Sequence, residues 1–355
     1  MDYGNDEKSA VQARADAQKI AFGPIMFQAA QSLRSLGILE NIQDNENGIT
    51  LEEIANNLHL SVYGIKVLIE AGLSMELVYE KEDSFFLTKT GWFLLNDELT
   101  SVNMNFTHDV NYLGMFSLEE SVKSGKPEGL KVFGKWDTIY EALAELPPTI
   151  RKSWFDFDHF YSDVAFPEIL PIIFKFNPKN ILDVGGNTGK FSLKCLETNS
   201  TVNMTVLDLP GQLNEAIQNI QAAGYTNRFT GHPLNLLDHS IPFPEGYDIV
   251  WMSQFLDCFS KADVVELLKR GKKALNQNGT LNILETYWDK QKFDGSTYSL
   301  HATSLYFTAL ANGCSQMYHY NDMLEMIDQA GLMVVEVHEN IGISHTLISC
   351  QNKHP

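Results

Sequence analysis

Residues 181–189 read Ile-Leu-Asp-Val-Gly-Gly-Asn-Thr-Gly, an apolar run that ends in an acid and opens into a glycine turn. Such a run is typical of a buried parallel strand, and glycines let the backbone turn sharply and approach a ligand closely. The next strand, Met204–Asp208, also ends in an acid, 208 − 183 = 25 positions after Asp183. Because parallel strands bind ligands at their carboxyl ends, we expect Asp183 and Asp208 at one binding edge.

Strands continue to alternate with helices toward the C-terminus. The alternation predicts an α/β domain with a mostly parallel sheet, covered by helices on both faces. A short loop around Gly342 separates the last two strands and predicts that the last strand is antiparallel. The further predicted strands are Arg228–His232, Tyr247–Met252, Thr280–Glu285, Met333–His338 and His345–Cys350.

Helical periodicity dominates the first part of the chain. A long helix is predicted around Ala10–Leu36, a capping box at Thr50 starts a second helix, and Ser61 starts a third. Two short strands around the turn Glu80–Ser84 follow, which completes a winged-helix arrangement. We therefore divide the chain into a mainly helical winged-helix domain (1–97), a helical connector that contributes to a substrate pocket (98–170) and the α/β domain (171–355).

A winged helix often reads DNA, but its recognition helix needs Arg or Lys against phosphate and guanine. Here that helix carries Lys66 as its only basic residue and also holds Glu70. Packing or dimerisation is therefore the favoured role of this domain, and the apolar residues of the first helix predict a homodimer.

Composition narrows the function further. The 26 basic and 45 acidic residues give a net charge of −19, which disfavours nucleic-acid and membrane-surface binding. The four cysteines lie far apart without a ligand pattern, so neither a disulfide scaffold nor a metal site is expected. The polar, acidic N-terminus is unlike a signal peptide and no apolar run would span a bilayer, so we expect a cytoplasmic protein.

The glycine loop excludes two nucleotide motifs. A GxGxxG fingerprint fails because Asn187 stands at its third position, and a phosphate loop fails because Phe191 follows Gly189-Lys190. The loop suits a zwitterionic amino-acid group instead. At the end of the next strand, Asp208 is either a helix cap or a carboxylate that accepts hydrogen bonds from ribose hydroxyls, and its pairing with the glycine loop favours the ribose.

Together these segments resemble the class I S-adenosylmethionine-dependent methyltransferases. Within that class, the chain is similar to the O-methyltransferase family that carries an N-terminal winged-helix dimerisation domain. The resemblance spans nearly the whole chain. The segments that carry it are ILDVGGNTG, VLDLP, YDIVWM with QFLDCFS, LNILET, AGL…VVEV and, near the N-terminus, AAQSLRSLGILENI, ITLEEIANNL and LVYEKEDSFFLTKTGWFLL.

The resemblance implies S-adenosylmethionine as cofactor and assigns its binding residues. The glycine loop surrounds the methionine portion, Asp208 binds the ribose, Leu209 lies beside the adenine, and Asn235 and Leu236 align with an adenine-binding acid and a large apolar residue. The full implied set is Asp183, Gly185, Gly186, Gly189, Asp208, Leu209, Asn235, Leu236 and Ser253.

The catalytic position departs from the family pattern. Plant-type members place a His base after strand four, whereas this chain has Asp257, which is either a base or a residue ahead of the helix that Ser260 caps. By resemblance, Glu285 steadies the base. A second such Glu near Gln316–Tyr318 is absent, and His301 and His159 are possible substitutes.

Phe157 and Tyr161 match the segment that covers the acceptor pocket in the family, so we expect them, with His301, to contact the substrate. These observations predict methyl transfer to a hydroxyl of a small, aromatic or polyketide-like molecule. Transfer to carbon or nitrogen is the first alternative, since Asp replaces His. A ligand-sensing regulator without catalysis is the second, and an NAD-linked oxidoreductase is a distant third.

Overall fold

Within the residues that the computed structural model describes, 3–353, nine strands form a two-stranded and a seven-stranded sheet. The chain divides into two units, Met1–Asp109 and Val110–Pro355. Residues 1–2 and 354–355, at the outer ends of the first and last predicted domains, lie outside the described residues. No described helix has the length and apolar character that crossing a membrane requires.

The helices of the first unit are α1 (Ala10–Ser35), α2 (Ile38–Gln43), α3 (Leu51–Leu58), α4 (Val62–Ser74), α5 (Lys89–Asn96) and α6 (Glu98–Asn105), and its strands are β1 (Val78–Lys81) and β2 (Ser84–Leu87). The helices of the second unit are α7 (Leu118–Ser124), α8 (Ile139–Ala142), α9 (Pro148–Asp163), α10 (Phe166–Ile173), α11 (Lys190–Thr198), α12 (Pro210–Ala222), α13 (Lys261–Ala274), α14 (Asp294–Tyr306) and α15 (Tyr320–Gln329). Its strands are β3 (Asn180–Val184), β4 (Asn203–Asp208), β5 (Phe229–Pro233), β6 (Tyr247–Ser253), β7 (Leu275–Glu285), β8 (Leu332–Ile341) and β9 (His345–Asn352).

The first unit contains the helices and the hairpin that were predicted within residues 1–97, and it extends to Asp109. Thr50 and Glu53 form the capping box of α3: the Glu53 carboxylate accepts the Thr50 N–H at 2.9 Å, and the Glu53 N–H donates back to the Thr50 hydroxyl at 3.3 Å. The turn between β1 and β2 holds Glu82 and Asp83 at φ of 51° and 60°, as a tight hairpin turn requires. Buried aliphatic side chains from the helices and hairpin pack into one core.

The larger sheet has the strand order β5-β4-β3-β6-β7-β9-β8. The first five strands in this order, from β5 to β7, run parallel to one another, and β9 runs antiparallel to both β7 and β8. This confirms the predicted α/β fold. One difference is that β7 begins at Leu275 rather than Thr280, because Leu275 pairs with Tyr247 before the register shifts.

Hydrophobic side chains of β6 alternate between two cores, one on each face of the sheet. Val250 and Met252 point into one cluster, whereas Ile249 and Trp251 point into the other. There the Trp251 ring stacks on Phe191 of α11, with centroids 4.4 Å apart. Helices therefore cover both faces, and the carboxyl ends of the strands are left as the place for ligands.

Arg228 forms hydrogen bonds with the end of α11 and with the segment that leads into β4. Its guanidinium donates to the carbonyl oxygens of Leu196, Asn199 and Val202 at 2.8, 2.7 and 3.1 Å. The bond to Leu196 satisfies a carbonyl that the end of the helix leaves without a partner, and the bonds to Asn199 and Val202 hold the segment between α11 and β4.

We predict that Arg228→Ala lowers the free energy of unfolding by about 2 kcal/mol, because losing the charged donor leaves several carbonyls unpaired. Lys135→Ala, at an exposed loop position of the second unit, is the control and should change the free energy of unfolding by less than about 0.5 kcal/mol. Urea unfolding monitored by circular dichroism compares the two variants. Equal midpoints would contradict this role of Arg228.

Candidate active site

The glycine loop joins β3 to α11 and is shaped by positive φ angles. Gly185 and Gly189 have φ of 72° and 79°, and Asn187 between them has 49°. The Gly185 N–H donates to the Leu207 carbonyl of β4 at 2.8 Å, which draws the loop against the next strand. A Cβ atom at Gly185 would lie 2.2 Å from the Phe255 ring, so only glycine fits there.

The two predicted acids lie at the same edge of the sheet. Asp183 is 3% exposed and accepts a hydrogen bond from the Ser192 hydroxyl at 2.7 Å; burial, assisted by the charge of Asp208, raises its pKa to about 7. Asp208 accepts the N–H groups of Asn187 and Leu209, both at 2.7 Å, and burial raises its pKa to about 6. Each oxygen of Asp208 keeps a lone pair for a further donor.

The adenine-side residues follow Asp208 and β5. Leu209 is half-buried ahead of α12, and the Leu234 N–H donates to the Asp208 carbonyl at 2.9 Å, which places Asn235 and Leu236 close to this edge. Asn235 is exposed, and its side chain accepts the Leu237 N–H at 3.1 Å. The Leu236 side chain is buried in the core rather than displayed at the edge.

Ser253 and the residue after it end β6. Ser253 is half-buried and pairs with Leu284 of β7. Gln254 has a φ of 46°; its N–H donates to the Leu284 carbonyl at 2.9 Å, and its side chain contacts His345 at 2.8 Å. These contacts fix the direction in which the chain leaves the sheet toward Asp257.

Glu285 holds the turn that carries Asp257. It is 2% exposed at the end of β7, and one carboxyl oxygen accepts the N–H groups of Phe255 and Leu256 at 3.0 and 2.8 Å. Its other oxygen, Oε2, is buried without a hydrogen-bond partner among residues 3–353. Glu285 thus positions the turn and presents one unused oxygen.

Asp257 is the predicted base and is 6% exposed. Burial raises its pKa to about 6, while burial and the charge of Asp257 raise the pKa of Glu285 well above its usual value. With a pKa of about 6, Asp257 is ionised at and above neutral pH and can accept a proton. The alternative prediction was that Asp257 only precedes a capped helix. The structure has that cap, since Ser260 caps α13 by accepting the Asp263 N–H at 3.3 Å.

The aromatic segment lies on α9. Phe157 and Tyr161 are one turn apart and half-buried, with ring centroids separated by 5.1 Å. His159, also on α9, lies with Nε2 3.3 Å from the Thr188 hydroxyl of the glycine loop. Burial lowers the pKa of His159 to about 4, so its ring is neutral at physiological pH.

Sequence reasoning missed Asp158, which lies between the aromatic residues singled out on α9. Its carboxylate accepts the Asn187 side-chain N–H at 3.0 Å, and burial together with the charge of Asp257 raises its pKa to about 7. An acid inside the aromatic run Phe155–Phe160 was the available signal. Asn187 was also missed as a side-chain donor.

His301, the predicted substrate contact on α14, lies at the surface of its helix. His301 is exposed on α14, where its ring lies 5.0 Å from that of Trp288. Tyr306 of the same helix is buried and accepts the Trp154 indole N–H at 2.8 Å. Burial raises the pKa of Tyr306, and the charges of Cys258, Asp158 and Asp257 add to this shift, so the Tyr306 hydroxyl lies near these groups.

Two family models match the chain. The Dimerisation2-like domain matches residues 14–85, and the O-methyltransferase domain matches residues 116–332. Demethylspheroidene O-methyltransferase of Cereibacter sphaeroides is 23% identical over 268 residues, which are 75% of this chain and 69% of that protein.

Solved methyltransferases share the fold. The S-adenosylmethionine-dependent methyltransferase SibL superposes with a TM-score of 0.73 and 21% identity, over 95% of this chain and 98% of that one. The O-methyltransferase NcsB1, solved with S-adenosylmethionine and 2-hydroxy-5-methyl naphthoic acid, gives 0.67 and 19%, over 93% and 96%. The model of the O-methyltransferase domain matches more than half of this chain. The chain therefore belongs to the O-methyltransferase family, whose members are S-adenosylmethionine-dependent enzymes.

Proposed function

We propose that this chain transfers the sulfonium methyl group of S-adenosylmethionine to a hydroxyl of a small, aromatic or polyketide-like acceptor. The single observation that carries the proposal is the order of four adjacent strands. The carboxyl ends of β4 and β3 carry Asp208 and the glycine loop, and those of β6 and β7 carry the Asp257 turn and Glu285. A cofactor site and a buried base thus adjoin along one edge.

The cofactor residues are proposed as the sequence predicted them: Asp183, Gly185, Gly186, Gly189, Asp208, Leu209, Asn235, Leu236 and Ser253. The glycine loop has no room for a side chain at Gly186, because a Cβ there would lie 2.9 Å from Val206 and 3.0 Å from the Asp183 carboxylate. A loop of bare backbone lets the cofactor approach closely. The buried Asn187 Oδ1 has no hydrogen-bond partner among the described residues and could accept from an ammonium group. The free lone pairs of Asp208 suit ribose hydroxyls.

When bound, S-adenosylmethionine would supply a methyl group already activated on a positively charged sulfur. Asp257 accepts the hydroxyl proton as the acceptor oxygen takes the methyl group. Glu285 keeps the Asp257 turn in place through the Phe255 and Leu256 N–H groups. Phe157 and Tyr161 of α9, within the proposed connector 98–170, form an aromatic wall that excludes water and orients a planar acceptor. His301 stays a prediction as a substrate contact.

Carbon or nitrogen as the methylated atom remains the alternative, because a sulfonium methyl needs little acid–base help and Asp257 is a weaker base than a His. A sensor that binds ligands without turnover is the remaining alternative. Activity on a panel of phenols and amines separates these functions.

The first test is isothermal titration calorimetry with S-adenosylmethionine. We expect Gly185→Ala to abolish binding, because its Cβ would overlap the Phe255 ring, and Gly211→Ala to leave binding unchanged, because nothing lies within 4 Å of its Cβ. Folded wild-type protein that binds no S-adenosylmethionine would reject the proposed function.

The second test is the pH profile of kcat/KM with an accepted acceptor whose own pKa exceeds about 8. Asp257 acts in its ionised form, so kcat/KM should fall about tenfold per unit below pH 6 and level off above about pH 7. The apparent pKa belongs to Asp257 and Glu285 as a pair, because the two carboxyl groups titrate together. Asp257→Asn should lower kcat by roughly 10²–10⁴ and remove this limb.

Asp83→Asn, in the exposed turn between β1 and β2, controls for the loss of one negative charge and should behave as wild type. Undiminished activity of Asp257→Asn would show that Asp257 is not the base.

We further propose a homodimer formed through α1. Ile20, Phe22 and Ile25 of α1 are 79%, 55% and 65% exposed, and the family model that covers most of this helix is a dimerisation domain. An exposed apolar row of this kind is typical of a contact surface.

Light scattering of wild-type protein at micromolar concentration should give the mass of a dimer. Ile25→Glu should shift it toward the mass of a monomer, because a charge would be buried in the contact. Phe176→Glu, at an exposed apolar residue of the other unit, is the control and should stay dimeric. A monomeric wild-type protein would refute the homodimer.

A further inference from the structure

The turn that leads from β6 to the proposed base contains a residue in the left-handed conformation that is not glycine. Gln254 has a φ of 46°, and a residue with a Cβ atom keeps such a conformation only where its surroundings hold it. The chain reaches Asp257 within the same turn. The groups that hold Gln254 therefore also decide where the Asp257 carboxylate lies.

His345, at the start of β9, holds the side chain of Gln254. It is 0% exposed, and its Nε2 atom lies 2.8 Å from Gln254 Oε1. Burial lowers the pKa of His345 to about 4, so its ring is neutral at physiological pH and carries a single N–H. With this N–H on Nε2, His345 donates to Gln254 Oε1, while the Gln254 backbone N–H donates to the Leu284 carbonyl at 2.9 Å.

The turn is held from both faces of the sheet. Side chains alternate between the two faces along a strand. His345 therefore shares the face of Leu347, which packs in one core. Glu285 shares the face of Ile283, which packs in the core of the opposite face. Glu285 accepts two backbone N–H groups of the turn from its face, whereas His345 binds Gln254 from the other.

Phe255 joins this turn to the glycine loop. It is 7% exposed, and its ring lies so close to Gly185 that a Cβ there would be 2.2 Å away. The loop also has a support of its own, since the Asn187 N–H donates to Asp208 at 2.7 Å. Loss of the His345 contact should therefore displace the base more than it displaces the cofactor loop.

We propose that His345 is a positioning residue for methyl transfer: it holds Gln254 in the left-handed conformation and thereby places the Asp257 carboxylate at the acceptor. The inference rests on the proposed function. It gives the C-terminal hairpin of β8 and β9 a part in the reaction, although His345 acts only through Gln254 and takes no part in proton transfer.

Hydrogen exchange followed by mass spectrometry tests this role without an acceptor. In wild-type protein the backbone N–H groups of Gln254, Phe255 and Leu256 are all hydrogen-bonded. His345→Leu removes the donor from the buried position, so the peptide that covers the turn should exchange at least roughly tenfold faster. His345→Gln keeps an N–H donor at a similar reach and should return the exchange rate to within about threefold of wild type.

Ser349→Ala is the matched control, because it also removes a buried side-chain hydrogen bond between β9 and β7. The Ser349 hydroxyl donates to the Asn282 side chain at 2.6 Å, in the interior of the sheet. This variant should lower the thermal unfolding temperature as His345→Leu does, yet leave exchange of the turn unchanged. A purely structural role of His345 would speed exchange equally in both variants.

Kinetics with the acceptor of the pH profile test the consequence for catalysis. His345→Leu should lower kcat by at least roughly tenfold and change the Kd of S-adenosylhomocysteine by less than about threefold, since the base moves and the glycine loop stays. Glycine takes a positive φ without strain. In a Gln254→Gly background, His345→Leu should therefore change kcat by less than about threefold.

The inference is overturned if the turn exchanges no faster in His345→Leu than in Ser349→Ala, if His345→Gln fails to restore slow exchange, or if kcat of His345→Leu equals that of wild type. Titration of wild-type protein with S-adenosylhomocysteine separates these outcomes from failure of the proposed function. Folded wild-type protein that binds none rejects the methyltransferase proposal itself. Binding together with unchanged exchange in His345→Leu rejects only the role of His345.

Discussion

The hydrogen bonds of the Asp208 carboxylate hold the proposed cofactor site together. Asp208 ends β4, and its two oxygens accept the N–H groups of Asn187 and Leu209 at 2.7 Å each. One acid thereby fixes the glycine loop of the neighbouring strand and the start of α12. These bonds hold the loop backbone in one conformation, with positive φ angles. Each carboxylate oxygen also keeps a lone pair for a ligand at the edge of the sheet.

A second buried acid has the same role on the other side of β3. Glu285 accepts two N–H groups of the Asp257 turn, as Asp208 does for the glycine loop. Acids with raised pKa values make folding less favourable as the pH rises from about 4 to about 7, because the folded state holds protons that the unfolded chain has released. Such a group lowers stability at neutral pH, which favours a functional reason for its presence.

The strands of the α/β domain were predictable because burial on both faces leaves near-continuous apolar runs, such as Ile181–Val184 and Tyr247–Met252. The placement of Asp183 and Asp208 followed from parallel strands ending at one edge. The start of β7 was wrong by five residues, because Leu275 pairs with Tyr247 across an irregularity that no local pattern reveals. The contact of Asp158 could not be predicted, since its hydrogen-bond partner Asn187 is distant in the chain and meets it only in the folded domain.

For His301, Asn235 and Leu236, the position along the chain did not reveal whether the side chain is exposed or buried. His301 lies on the predicted helix but on its exposed side, whereas the Tyr306 hydroxyl lies near the buried acids. The segment with Asn235 and Leu236 lies close to Asp208. The Asn235 side chain is exposed, whereas the Leu236 side chain is buried in the core. A crystal structure of the protein with S-adenosylhomocysteine tests the role of Asp208. We expect both ribose hydroxyls within hydrogen-bond distance of the Asp208 carboxylate and the amino-acid end against the glycine loop. A ligand bound elsewhere, or ribose hydroxyls turned away from Asp208, would contradict it.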